Sequence, residues 1–447
     1  MSRPKPISGF PELLPGQRIV ESQVIDHLRH AFELHGFANV QTRVVEPLDQ
    51  LLRKGETSKE VYLLQRLQAE EDDSPDAKLG LHFDLTVPFA RYVLENAGKL
   101  QFPFRRYQIQ PCWRGERPQE GRFREFWQAD IDIVDRDELP LHYEVELPLV
   151  IADALRGLPF PPMQMRVNNR KLSQGFYQGI GISDTEEALR LVDKKDKIGD
   201  EELIKLLQTE LEVTPAQAEA CVTLANISSA DTSFVDQVRA LGVTDPLLEE
   251  GLRELTEVVE AAVEMAPGLV TADLSIARGL DYYTGTVYET VMEGYEYLGS
   301  ICSGGRYDTL ASDGKNTYPG VGLSIGLSRI LVPLLRAGVL DASRSVPTCV
   351  LVALLDEGTR HESQQLAQRL RQRGIPTQVA PAAQKLGKQI KFADKRGIPF
   401  VLFPAEEGHE QPQMRDIRSG EQVPVDVDSW MPRSEDLVPQ IISPATQ

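Results

Sequence analysis

The chain has 447 residues, 41% of them hydrophobic, with a formal net charge of −19. That supplies a sizeable core and a length suited to about two to four domains, while the acidic balance speaks against a surface that attracts nucleic acid everywhere. No run of about 18 apolar residues offers a membrane span, and Cys112, Cys221, Cys302 and Cys349 form no CxxC pair, so neither zinc nor a disulfide framework is expected.

"MSRPKPISGF" lacks the apolar core of a secretory signal, and a reducing cytoplasm is the expected location. Residues 17–35 space Val20, Val24, Leu28, Ala31 and Phe32 three and four apart, which predicts an amphipathic helix with Gly36 at its C-terminal cap. "VQTRVVEPL" reads as a strand, and "LHFDLTVPFARYVL", 81–94, as a strand turning into a helix near Pro88. Residues 104–135 predict two strands, roughly 104–114 and 122–134, around the Arg-laced turn "GERPQEG". From about 183 to 266 the chain is rich in Leu, Glu and Ala at helical spacing, an inserted helical module. Strands return in "GLVTADLSIARGLDYYTGTVYETV", and 318–338 reads as a strand entering an apolar helix. After Ser345 short apolar strands alternate with helices at 359–373 and 384–396. This predicts a small α/β unit with a mainly parallel sheet, followed by a hairpin in "MRDIRSGEQVPVD".

"ARGLDYYTGTVYE", 277–289, puts a guanidinium and two adjacent phenols in a stretch of strand formers. If the strand starts at Arg278, strict alternation sends Tyr282 and Tyr283 to opposite faces, and only a bulge or a turn at "GLDYY" lets both line one pocket. No GxxxxGK[ST] or GxGxxG precedes a helix, so a glycine-rich phosphate loop is not expected. Arginine forks are the other solution for phosphate, and Arg114, Arg122, Arg124, Arg278 and Arg329 are the candidates. Any one alone reads better as a surface ion pair; five on one predicted sheet point to a polyanion site. Between Arg360 and Arg396 basic residues far outnumber acidic ones, which fits either a binding face or an ordinary solvated helix surface.

"WRGERPQEGRFREFWQADIDIV" resembles motif 2 of the class II aminoacyl-tRNA synthetases, and "GVGLSIGLSRI" resembles motif 3. "ARGLDYYTGTVYE" and "CSGGRYDTLA" resemble the signature peptides of the histidyl-tRNA synthetase branch. "GFPELLP", "GETSKEVY" at 55–62, "LHFDLTVPFARY" and the C-terminal α/β unit extend the resemblance over nearly the whole chain. It implies an α+β fold, an antiparallel sheet of six or seven strands flanked by helices. The catalytic domain would be split between 1–182 and 267–338, with a helical insertion at 183–266 and an anticodon-binding domain at 346–447. It further implies a homodimer, with no membrane attachment, that uses ATP with Mg²⁺, L-histidine and tRNA(His). Histidine would attack the α-phosphate of ATP, pyrophosphate would leave, and the histidyl adenylate would acylate the tRNA.

Carried over residue by residue, Arg114 and Arg278 would hold the α-phosphate from two sides, and both would also hold the substrate histidine. Arg122 and Arg329 would grip the outer phosphates, with Glu116 and Phe126 at the adenine. Asp84 and Thr86 would take the α-ammonium and Gln128 the carboxylate. A neutral imidazole carries one donor and one acceptor, which Asp132 and the Tyr283 phenol would match, with Tyr282 bordering the pocket. Arg117 and Gln119 would lie near the tRNA acceptor end, and the basic residues of 360–396 would meet the anticodon arm. The sequence departs from the family at Arg43, His82, Thr309 and Ser328, where Pro, Arg, Gly and Glu are usual. Of these, His82 and Ser328 bear on the support of Asp84 and Arg329. An alternative is a non-catalytic histidine-binding regulatory subunit of ATP phosphoribosyltransferase, which lacks the C-terminal domain. "RGLDYY" and the tail from 346 speak for the enzyme, and "RGLDYYTG" also separates the chain from class II synthetases of other specificity.

Overall fold

A computed structural model describes residues 4–52, 60–65, 78–277, 282–405 and 411–443. Arg278 and most of "GETSKEVY" lie outside the described residues. Two compact units form, one from Met1–Pro11 with Asp26–Pro333, the other from Glu12–Ile25 with Leu334–Gln447.

The first unit is built on a nine-stranded sheet. Its spatial order is Ala38–Asn39, Phe104–Trp113, Glu125–Val134, Gly320–Gly326, Cys302–Tyr307, Thr286–Met292, Met163–Asn169, Val270–Asp273 and Ser228–Ser229. Neighbours run antiparallel except at Ala38–Asn39 beside Phe104–Trp113 and at Met163–Asn169 beside Val270–Asp273. Two-residue edge strands raise the count above the expected six or seven. One of them, Ser228–Ser229, comes from the segment expected to be purely helical and pairs with Ala272 and Asp273.

Two strand expectations are corrected. "VQTRVVEPL" forms a strand only at Val45–Pro47, which pairs with Leu79–Leu81 in a separate three-stranded sheet. Its start belongs elsewhere, because the Val40 N–H is taken by the Tyr107 carbonyl at 2.9 Å. The strand expected from Arg278 begins instead at Thr286, so Tyr282 and Tyr283 precede it and strict alternation does not bind them. The helix Thr86–Asn96 does open beside Pro88, whose absent N–H falls in the first turn, where no intrahelical acceptor exists.

The helices between Thr185 and Met265 owe their ends to local chemistry. Thr214 and Gln217 form a reciprocal capping box, and Asp245 caps Pro246–Met265 through the N–H groups of Leu247 and Leu248. That last helix crosses Arg170–Gly179 with no room to spare. A Cβ on Gly175 would overlap the backbone of Leu248, and one on Gly251 would overlap the backbone of Leu172.

In the second unit a five-stranded sheet has Val350–Val352 between Thr377–Val379 and Phe400–Phe403, all parallel, continued antiparallel by Gln413–Asp416 and Gln422–Pro424. Helix Arg360–Gln372 turns Ser363, Ala367 and Leu370 inward, four and three apart, and Leu386–Asp394 is the second crossover. The Gln23 side chain donates to the Pro439 carbonyl, within this same unit.

The reciprocal glycine contact gives a direct test. Gly251→Ala forces a methyl into backbone, and stability should fall by about 3 kcal/mol or more in urea unfolding. A loss within about 0.5 kcal/mol, the scale of an ordinary surface change, would mean that the two helices are not in contact there.

Candidate active site

The strands Phe104–Trp113 and Glu125–Val134 form a hairpin whose register runs from Phe104 opposite Val134 to Trp113 opposite Glu125. The pairing extends one step, Arg114 N–H to the Arg124 carbonyl at 2.9 Å, and the tip closes by reciprocal bonds between Gln119 and Arg122. Beside this hairpin lies a cavity lined by Arg114, Glu116, Arg122, Phe123, Phe126, Gln128, Ser303, Ser324 and Arg329. Arg114 is held by its Nε to the Phe83 carbonyl at 3.0 Å, with its guanidinium 5.0 Å from the centre of the Phe126 ring. Arg329 donates from Nε to Gly121 at 3.0 Å and from Nη1 to Ser300 at 2.6 Å. Arg122 Nη1 is 3.5 Å from Glu116. Of the expected arginines, three meet at this cavity. Arg124 instead donates to the Glu116 carbonyl at 3.2 Å, and Arg278 lies outside the described residues.

Alternate residues of Glu125–Val134 carry the polar surface deeper. Gln128, Asp130 and Asp132 share one face and stand opposite Gln110, Gln108 and Arg106. Asp132 is buried, its Oδ2 2.6 Å from Arg106 Nη2 and its Oδ1 accepting the Tyr307 hydroxyl at 2.6 Å. The phenol bonded to Asp132 is thus Tyr307, from the stretch "CSGGRYDTLA", a residue to which the resemblance assigns no role. Tyr282 stands between, 4.7 Å from Tyr283 and 6.0 Å from Tyr307, ring centre to ring centre. Burial above all pushes the three phenols up, with Asp84 acting on Tyr282, Asp132 on Tyr307 and both carboxylates on Tyr283, so all three keep their protons at neutral pH. Glycine makes room for the group: any Cβ on Gly322 would overlap the Asp132 carboxylate, and one on Gly305 would lie 3.2 Å from the Tyr283 ring.

Asp84 is buried, and its Oδ1 accepts the Val87 N–H at 3.0 Å, which leaves Thr86 in the first turn of the helix. Arg117 and Gln119 are exposed on the hairpin tip. Gln119 borders a second cavity with Arg122, Arg166, Lys195 and Lys197. The departures each find partners or solvent. The fully buried His82 has its Nε2 2.7 Å from the Pro111 carbonyl and is kept neutral chiefly by burial. Ser328 accepts the Trp127 N–H at 2.8 Å, Arg43 pairs with Glu46 at 3.2 Å, and Thr309 is exposed.

The basic stretch of the second unit divides in two. Arg360, Arg369, Arg371 and Arg373 are engaged with Glu357, Asp428, the Thr377 carbonyl and the Val427 and Trp430 carbonyls. Lys385, Lys388, Lys391, Lys395 and Arg396 are exposed on and around Leu386–Asp394.

The chain is similar to known proteins over nearly its whole length. The histidyl-tRNA synthetase family model matches residues 9–330, and an anticodon-binding domain model matches 349–433. The histidine--tRNA ligase of Cutibacterium acnes is 57% identical, with 99% of each chain covered. The crystal structure of histidyl-tRNA synthetase from Nostoc sp. PCC 7120 superimposes with a TM-score of 0.85 at 33% identity, covering 96% of this chain and 98% of that one. A Bacillus halodurans protein described as an ATP phosphoribosyltransferase regulatory subunit/histidyl-tRNA synthetase shares the fold, with a TM-score of 0.72 at 17% identity over 87% of this chain and 96% of that one. With the family model spanning the whole catalytic sheet and a full-length relative at this identity, the chain belongs to the histidyl-tRNA synthetase family.

Proposed function

We propose that the chain joins L-histidine to tRNA(His) in two steps at this site. The histidine carboxylate attacks the α-phosphate of ATP and expels pyrophosphate; the adenylate then acylates the terminal adenosine of the tRNA and releases AMP. One observation carries the reading. A single strand, Glu125–Val134, brings Phe126 and Gln128 to the arginine-lined cavity and Asp132 to a cluster of protonated phenols. A nucleotide at one end and an imidazole at the other fit that division.

An ionised carboxylate needs no base to attack phosphorus, so the work is positioning and charge neutralisation. Arg114, tethered through Nε, offers its terminal N–H groups to the α-phosphate and the substrate carboxylate. Arg278 faces it on the family resemblance. Arg122 and Arg329 take the outer phosphates, and Glu116 and Phe126 the adenine. Asp84, which also accepts the Val87 N–H at the helix N-terminus, takes the α-ammonium beside Thr86. Gln128 takes the carboxylate, Asp132 accepts the ring N–H, Tyr283 donates to the other ring nitrogen, and Tyr282 closes the side. Among the described residues no group of three or more acidic, histidine or cysteine side chains is placed to hold a metal, so the donor set does not fit a protein-built magnesium site. Mg²⁺ belongs in this reading to the triphosphate, and no step is routed through it.

We further assign 1–182 and 267–338 to the catalytic domain, 183–266 to the insertion and 346–447 to anticodon binding, in a cytoplasmic homodimer. Arg117 and Gln119 meet the acceptor end, and the exposed lysines around Leu386–Asp394 meet the anticodon arm. The regulatory-subunit alternative is not favoured: the full-length relatives are ligases, and the anticodon-binding domain is present.

Purified protein with ATP, magnesium and a panel of amino acids should exchange labelled pyrophosphate into ATP with histidine alone; exchange with a different amino acid would sink the specificity. Tyr283→Phe should raise the KM for histidine about tenfold, the cost of an unmet ring nitrogen, with a much smaller change in the KM for ATP. An unaltered histidine KM removes the phenol as a ligand. Lys388→Glu with Lys391→Glu should weaken tRNA charging, most at low salt and less as salt rises, and leave pyrophosphate exchange intact. Equal loss of both activities would contradict a tRNA role for that helix.

A further inference from the structure

The polar face below the nucleotide cavity holds a second buried carboxylate that the reaction as drawn does not use. Asp130 is 2% exposed. Charged and titratable groups face it from every neighbouring element. Arg106 and Cys112 come from Phe104–Trp113, Asp132 from its own strand, and Asp84 from the approach to Thr86–Asn96. Cys302 comes from Cys302–Tyr307 and Tyr283 from the segment before Thr286. Its hydrogen-bond partner is Ser324, whose hydroxyl donates to Asp130 Oδ1 and accepts from Gln128 Nε2 at 2.8 Å.

Arg106 is the cation of this group, and the two carboxylates do not share it equally. Its Nη2 lies 2.6 Å from Asp132 and 3.9 Å from Asp130. Asp132 also accepts from Tyr307. With both carboxylates ionised, the interior would carry an uncompensated charge, which a dry site resists by holding a proton. The nearer guanidinium and the second donor keep the charge on Asp132, so the proton falls to Asp130. Burial is the largest cause raising the Asp130 carboxyl, to about 7, against the lowering effect of Arg106. The thiols of Cys112 and Cys302 are likewise pushed up by burial and stay neutral.

We propose that Asp130 is a specificity-determining proton holder: with its proton in place the Asp130–Arg106–Asp132 triad is electrically neutral, and the side-chain pocket selects the uncharged imidazole of histidine. This rests on the histidine-activating reading above. A neutral ring offers one donor and one acceptor, matched by Asp132 and the Tyr283 hydroxyl, whereas an imidazolium offers two donors and suits a pocket with an added negative charge. Binding also brings the substrate carboxylate to Gln128, one hydroxyl away from Asp130 through Ser324. Negative charge arriving there favours protonated Asp130. Above pH 7, histidine binding therefore draws a proton from solvent onto Asp130, and affinity, greatest near pH 7 where the free imidazole is neutral and Asp130 still holds its proton, falls as pH rises.

The test follows histidine-dependent pyrophosphate exchange from pH 7 to 8.5, with calorimetric proton counting for histidine binding at pH 8 in buffers of different ionisation heat. In the native chain the KM for histidine should climb towards the one-proton limit of about tenfold per pH unit, with kcat nearly constant and a proton taken up on binding. Asp130→Asn, permanently neutral and of similar shape, should abolish both the slope and the uptake. A flat KM in the native chain, or equal uptake in native and Asn proteins, overturns the proposal. Should that variant not fold, Ser324→Ala decides. Losing the donor to Asp130 should move the rise in KM to higher pH, and an unmoved rise overturns the proposal. Exchange absent at every pH would instead fail the functional reading, a result distinct from exchange with a pH-indifferent KM.

Discussion

A guanidinium buried between two carboxylates, Arg106 against Asp132 and at longer range Asp130, is the constraint that the catalytic sheet is arranged to satisfy. Full burial of an ion is costly unless its donors and its counter-ion are all engaged. The neighbouring elements meet that demand at its two terminal nitrogens, while Nε has no hydrogen-bond partner among the described residues. Arg106 reaches the Gln108 side chain at 3.4 Å and the Leu85 carbonyl at 3.5 Å, and lies 4.4 Å from the Phe89 ring centre. Gln108 and Gln110 are tied to each other and to Thr42. On the opposite flank the sheet must come close without side chains, which is why glycine stands at 304 and 322. The strands therefore cannot slip by one residue, because a slip would send Gln128, Asp130 and Asp132 to the other face together.

A second buried ion pair fixes the phenols against this strand. Glu144, fully buried on His142–Leu155, accepts from Arg306 at 2.8 Å and from the Thr286 N–H at 3.3 Å. Arg306 also holds Asp308 at 2.9 Å, and Asp308 accepts the Thr284 hydroxyl. The segment carrying Tyr282 and Tyr283 is thus pinned at Thr284 and Thr286 while remaining outside the ladder. That is how two adjacent phenols serve one side of the sheet.

Much of this was legible from residue order, because periodicity and caps are local. The amphipathic helix ending near Gly36, the hairpin around "GERPQEG" and the α/β alternation after Ser345 follow from spacing alone. The convergence of Arg114, Arg122, Arg329 and Gln128 followed from the motif resemblance. What escaped was cross-strand pairing. "RYQIQ" and "QADID" each alternate polar and apolar residues, a visible sign of a polar face. Only the register, Arg106 opposite Asp132, reveals that the two faces are one network. Tyr307 escaped for the same reason, since its bond to Asp132 joins residues 175 positions apart.

The acidic net charge and the affinity for a polyanion are reconciled by where each cation is spent. Arginine, with its planar fork, suits fixed bidentate or carbonyl-capping roles, and in the second unit Arg369 and Arg373 do that work, closing Arg360–Gln372 onto the segment Val427–Trp430. They are structural cations. Lysine is a point charge on a flexible stem, and Lys385, Lys388, Lys391 and Lys395 are exposed on or beside a single helix. A charge count over 360–396 treats the two kinds alike and so overstates the binding face. Separated by their partners, they leave a short lysine-rich surface suited to phosphates, set in a protein whose remaining acidity repels nucleic acid elsewhere.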